Sequence, residues 1–249
     1  MGSGSDVAGS GADGAEDDAC GPAPASQVPL VPFVQQEENW DCGLACVKMA
    51  TGALRPEVEA SKLTNAALEQ LVQTRSVWTI DLAFAIRELG IPLVMYTTST
   101  RVDTREYSGM DFYKEVESDQ ARVNARFERA AEAGIRVDER PLPRAELQSI
   151  VSANALQMAI VLVDVTVLRN AERSYGRKVL DFVVSAVAGH QFAGHYLLVI
   201  GYIAPFYEVR DPASSRPSTM VHEDVLERAR SAPGTDDDIL VLGEDLSHL

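Results

Sequence analysis

The chain has 249 residues, with 22 Lys+Arg against 37 Asp+Glu and a formal net charge of −15. Its 46% hydrophobic and 24% charged residues suit a globular chain with one sizeable core, which excludes wholesale disorder. The acid excess disfavours a nucleic-acid or anionic-membrane binder, because gripping phosphates takes basic clusters.

The charge sits mostly at the ends. Residues 1–26 hold five acids and no base, residues 236–249 another five acids and no base, and −5 is left for 27–235. Residues 1–26, rich in Gly, Ser, Ala and acids with no apolar period, read as a disordered acidic tail. They lack the basic and apolar regions of a secretory signal. The expected organisation is this tail, a single domain over 27–243 and a short C-terminal extension over 244–249.

In chain order, Val28–Val34 is apolar but broken by Pro29 and Pro32, as in an edge strand. Asp41 is a candidate N-cap for a helix beginning Cys42-Gly43-Leu44-Ala45-Cys46. Pro56 opens a second helical pattern through Val72, and Thr79–Leu89 a third, ended by Gly90. Ile91–Tyr96 reads as a strand, Asp119–Ala133 as a helix, Ile135–Val137 as a short strand and Pro143–Val151 as a short helix. Later runs are β-branched or aromatic and short: Met158–Val163, His195–Ile203, Phe206–Val209 and Ile239–Leu242. Helix-rich first and strand-rich later predicts an α+β fold, with an antiparallel sheet in the second half. The stretch 164–194 fits an insertion or flap. No apolar run approaches the roughly 20 residues of a membrane helix.

Three cysteines, Cys20, Cys42 and Cys46, make no disulfide framework and suit a reducing compartment, cytoplasmic with a nuclear location also open. Cys42 falls at a helix start, where free N–H groups favour the thiolate form that a nucleophile needs. Gly43 leaves room for a substrate. Gln36, on the preceding loop, could donate to a developing oxyanion together with the Cys42 backbone N–H. His195 opens a strand and Asp211 ends the next one. An antiparallel pairing of the two would set Asp211 beside His195, accepting a hydrogen bond from Nδ1. Nucleophile, base, orienting acid and oxyanion donor therefore all have candidates: Cys42, His195, Asp211 and Gln36.

Blander readings compete. Cys42 could be a small buried hydrophobe, and Cys46, one turn later, is best read as core. His195 could be a strand-end histidine bonded to backbone, and Asp211-Pro212 a plain turn. His190 is a rival base. Trp40 reads as packing beside the cleft, Trp78, Ile80 and Phe84 as core, and Asp236–Asp238 as a solvated turn.

The pattern Gln36…Asp41-Cys42-Gly43-Leu44-Ala45-Cys46, then Gly194-His195-Tyr196, then Asp211-Pro212, resembles the papain-like peptidases that process bacteriocin leader peptides. A longer resemblance, over roughly 28–242, is to the guanylyl cyclase domain-containing family. It adds Gln35, Trp40, the stretches 74–83 and 122–124, and Gly234–Leu240. The resemblance implies a papain-like fold with a Cys-His-Asp/Asn site, and also a name, guanylyl cyclase, that denotes different chemistry. The residues favour cysteine-peptidase or hydrolase chemistry on an acyl or peptide bond of an unknown protein, peptide or small-molecule substrate, needing no cofactor. The alternatives are a guanylyl cyclase using GTP with Mg or Mn, and a non-catalytic binding module. No Gly-rich phosphate loop supports the cyclase.

Overall fold

A computed structural model of the chain describes residues 30–102, 116–153, 157–169 and 192–247, with the terminal residues 1 and 249. The tail, Cys20, His190, His248 and most of 164–194 lie outside the described residues.

Four helices lead: α1 (Cys42–Leu54), α2 (Asn65–Val72), α3 (Thr79–Glu88) and, after strand β1 (Leu93–Thr97), α4 (Val116–Arg129). Strand β2 (Arg136–Glu139), helix α5 (Arg144–Ala153), strands β3 (Met158–Asp164), β4 (Gly194–Ile203), β5 (Phe206–Arg210) and β6 (Thr219–His222), helix α6 (Glu223–Arg230) and strand β7 (Ile239–Leu242) complete the order. The seven strands form one sheet ordered β2-β1-β7-β3-β4-β5-β6.

Strand side chains alternate between two faces, and this period builds two cores. Met158, Ile160, Tyr196, Leu198, Leu240 and Leu242 join α1 and α3 on one face. Ala159, Val161, Leu197, Val199, Ile239 and Val241 join residues of α5 and α6 on the other. Strands buried on both faces explain the continuous apolar runs that marked β3, β4 and β7 in the sequence. The fold is α+β.

The expected layout differs from the structure at several points. The sheet is not purely antiparallel, because β1 pairs with β2 in parallel. Residues 30–34 form no strand; Val31 is buried and Pro32 packs where a Cβ on Gly52 of α1 would stand. The helix expected from Pro56 splits into a 3-10 turn (Ala60–Leu63) and α2, because Thr64 stops one and caps the other, accepting from the Ala67 N–H at 3.2 Å. Strand β6, only four residues long, was not expected.

Candidate active site

The first intrahelical bond of α1 runs from the Ala45 N–H to the Asp41 carbonyl at 2.9 Å, which sets Cys42 in the first turn. The Asp41 side chain does not cap the helix. It turns back and accepts from the Glu37 and Glu38 N–H groups, both at 3.1 Å, and from Asn65 Nδ2 at 2.9 Å. These three donors fix the loop that carries Gln36.

Gly43 has a packing reason rather than the expected clearance for substrate. A Cβ there would lie 2.8 Å from Leu82 Cδ1 and 3.1 Å from Tyr196 Cδ2, so α1 approaches both α3 and β4 closely only because the side chain is absent. Cys46, fully buried one turn on, directs its Sγ at the Tyr196 carbonyl at 3.5 Å. Burial first, then the neighbouring Cys42 and Asp211, push its thiol pKa well up.

Opposite α1, β4 presents His195, 6% exposed, and the β4–β5 pairing carries Asp211 to its side. His195 Nε2 and Asp211 Oδ1 are 2.7 Å apart. The orienting bond thus uses Nε2, not the expected Nδ1, and leaves Nδ1 outside it. Burial pulls the His195 pKa down, but the hydrogen bond to Asp211, the side-chain hydrogen bond with Cys42 and the charges of both outweigh it, raising it to about 9. Asp211 is held below its ordinary value: burial works to raise it, and His195 together with the Ala213 N–H overcomes that.

Gln36 is tied to the same corner by its backbone, whose N–H donates to the Pro212 carbonyl at 3.0 Å. Its Nε2 donates to the Glu38 carbonyl at 2.7 Å, and its Oε1 is buried with no partner among the described residues. The structure therefore joins His195 and Asp211 by a direct hydrogen bond, with Cys42 close enough to act on the His195 ring electrostatically and Gln36 clasped to the Asp211-Pro212 turn.

Cys42 opens onto a cavity of about 370 Å³, whose walls include Trp40, Trp78, Phe192, Tyr196, Asp236 and Asp238. Trp40 stands beside the cleft as expected. Trp78 packs on the core as expected and also forms a wall of the cavity, its indole N–H donating to Asp119 Oδ2 at 3.1 Å. Ile80 is core, and Phe84 packs on the core beneath the Arg126 guanidinium. Asp236–Asp238 are not a solvated turn. Asp236 and Asp237 both have φ of 51°, so successive carboxyls point apart; Asp237 meets Arg230 at 2.9 Å and Asp238 turns inward, 8% exposed. Among the described residues, no cluster of three His, Cys, Asp or Glu is arranged to hold a metal ion, and no helix is long and apolar enough to cross a membrane.

A family model described as guanylylate cyclase matches residues 31–242. The chain belongs to the guanylylate cyclase family. Guanylyl cyclase 1 of Arabidopsis thaliana is 35% identical over 228 residues, covering 88% of this chain and 77% of that protein. Among solved structures, a C39-like peptidase of Bacillus anthracis aligns with a TM-score of 0.49 at 14% identity, over 87% of this chain and 96% of that one.

Within this guanylylate cyclase family member, the two stretches 74–83 and 122–124 meet around a buried carboxylate. Asp81, fully buried, pairs with Arg122 and with Arg126 at 3.0 Å and accepts from the Trp78 N–H at 2.9 Å. Burial raises its pKa, and the two guanidiniums offset part of that rise. Arg122 also reaches Asp119 at 3.0 Å, and Asn124 Oδ1 accepts from the Val102 N–H at 3.0 Å. These motif residues join α3 to α4 and aim Trp78.

Proposed function

We propose that the chain is a thiol enzyme acting on an acyl or peptide-like bond, with Cys42 as nucleophile, His195 as acid–base, Asp211 orienting His195 and Gln36 aiding the oxyanion. The observation that carries this reading is His195, which is bonded through one ring nitrogen to Asp211 and feels the charge of Cys42, a residue that lines the cavity. The arrangement of a thiol-bearing helix against a sheet carrying the base and the acid is what a papain-like fold would supply.

The sequence of bonds follows. The Cys42 thiolate adds to the substrate carbonyl carbon, and the oxygen takes up negative charge. The second N–H of the Gln36 amide and the Cys42 backbone N–H are the donors for that charge. As the carbonyl re-forms, the bond to the leaving group breaks and His195 gives that group its proton, which leaves a thioester. Water then adds, His195 takes its proton, and the carboxylic acid departs with the thiol restored.

Iodoacetamide is the direct test. Wild-type protein should be alkylated at Cys42 at neutral pH, and His195→Ala should lose most of that reactivity; equal rates would refute the pair.

A second reading is guanylyl cyclase activity, favoured by membership of the family. A triphosphate needs cations around it. The cavity offers instead Asp236 and Asp238, with Arg75 at its edge already bonded to Glu69 at 2.9 Å. The described residues fit GTP with a divalent metal poorly. Cyclic GMP formed from GTP with Mg²⁺ or Mn²⁺, and abolished by a carboxylate substitution in the cavity, would establish this reading over the first.

A further inference from the structure

Five aspartates are buried among the described residues: Asp41, Asp81, Asp119, Asp164 and Asp238. Four of them are met by donors. Asp41 accepts two backbone N–H groups and Asn65; Asp81 has two arginines; Asp119 accepts from Ser76, Trp78 and Arg122; Asp164 accepts from the Thr166 and Val167 N–H groups. Asp238 differs. The hydroxyls of Thr79 and Thr97 lean on its carboxyl, but among the described residues Oδ1 has no hydrogen-bond partner and no arginine or lysine forms an ion pair with it. The titratable groups around it are Asp236 and Asp237 on its own turn and Tyr196 from β4. Of these, Asp237 is already taken by Arg230.

Asp238 lines the same cavity as Cys42. Trp40, Trp78 and Phe192 line it too, and aromatic faces attract cations through their quadrupoles. Burial pushes the Asp238 carboxyl up to about 8, with the charges of Asp236 and Asp237 adding to the rise, so it is largely protonated at pH 7. Among the described residues, this buried carboxyl beside acids and aromatic rings lacks one thing, a positive partner.

We propose that the cavity beside Cys42 is a subsite for a positively charged substrate group, an ammonium or guanidinium, seated against Asp238. The site deepens the thiol reading, because it names the chemistry next to the bond that Cys42 would attack. It also disfavours anionic ligands there, a triphosphate included.

Two measurements on the full-length protein test it. In calorimetry, agmatine and cadaverine should bind the wild type while glutarate does not, and Asp238→Asn, nearly the same shape, should weaken binding at least tenfold. In alkylation, peptidyl chloromethyl ketones carrying lysine, norleucine or glutamate next to the electrophile are compared by mass spectrometry at Cys42. The lysine probe should react roughly tenfold faster than norleucine, with that ratio falling to about one in Asp238→Asn. Failure of both diamines to bind, undiminished binding to Asp238→Asn, or equal lysine and norleucine rates on the wild type would overturn the subsite. The probe comparison on wild-type protein needs no variant to fold. Diamine binding that depends on Asp238, with no ketone reacting at Cys42, would uphold the subsite and sink the thiol reading. Alkylation that depends on His195, without a lysine preference, would do the reverse.

Discussion

Asp211→Ala tests how the base is held. In the folded chain the His195 pKa stands at about 9. Its unfolded value is about 6.5, so the difference is worth about 3 kcal/mol in favour of the imidazolium. Burial alone works against the charge, and Asp211 does most to resist it. Without Asp211, the pKa should fall to its ordinary value or below. The protonated fraction at pH 7 then drops from about 99% to about a quarter or less. His195 has a raised folded pKa, so its contribution to stability is fully present below pH 6.5 and is lost as pH rises through 9. The gap in unfolding free energy between wild type and variant should therefore narrow between about pH 6 and about pH 10. Asp211→Asn keeps an acceptor and should fall between the two. The assays are NMR titration of the His195 ring, urea unfolding at each pH, and the pH profile of Cys42 alkylation. If Asp211→Ala titrates and alkylates as the wild type does, the proposed role of Asp211 is wrong.

Gly43→Ala should gain about 0.5–1 kcal/mol of helix propensity but lose about 1–3 kcal/mol by crowding Leu82 and Tyr196; urea midpoints should show a net loss. Asp41→Ala leaves three donors unmet and frees the Gln36 loop. It should cost about 2–4 kcal/mol and slow turnover more than it changes iodoacetamide labelling. Cys46→Ala should leave alkylation of Cys42 unchanged, because the buried Cys46 thiol takes no part; mass spectrometry of the labelled peptide checks this. Asp81→Ala strands Arg122 and Arg126 and should cost about 3–5 kcal/mol in denaturant unfolding.

The elements with a strong period could be read from the sequence. Met158–Val163 and Ile239–Leu242 are continuous apolar runs, and they became central strands because both their faces meet helices. The positions of Cys42, His195 and Asp211 could be proposed because helix start, strand start and strand end are local features. The choice of ring nitrogen could not, since the β4–β5 register and its bulge near Gly201 decide how the imidazole meets the acid. Asp41 had the composition of a cap, but its side chain serves the loop behind it. Asp238 was hidden more deeply. Nothing local separates it from Asp236 and Asp237, and only two positive φ angles in a row turn it into the cleft. The cavity-facing side of Trp78 was hidden because its hydrogen-bond partner, Asp119, lies 41 residues away.

Tyr196 follows His195 directly, and four contacts converge on it. Its carbonyl faces Cys46, its ring lies against Gly43, its hydroxyl meets Thr79 at 3.0 Å, and it forms part of the cavity wall. Any molecule that presses on this wall therefore pushes on the base through one peptide unit and on the nucleophile's helix through Gly43. The Tyr196 wall cannot yield independently of the thiol–imidazole pair. A group that forces this wall would move Cys42 and His195 out of line, so a shape that presses there would be rejected by slow chemistry even where it binds.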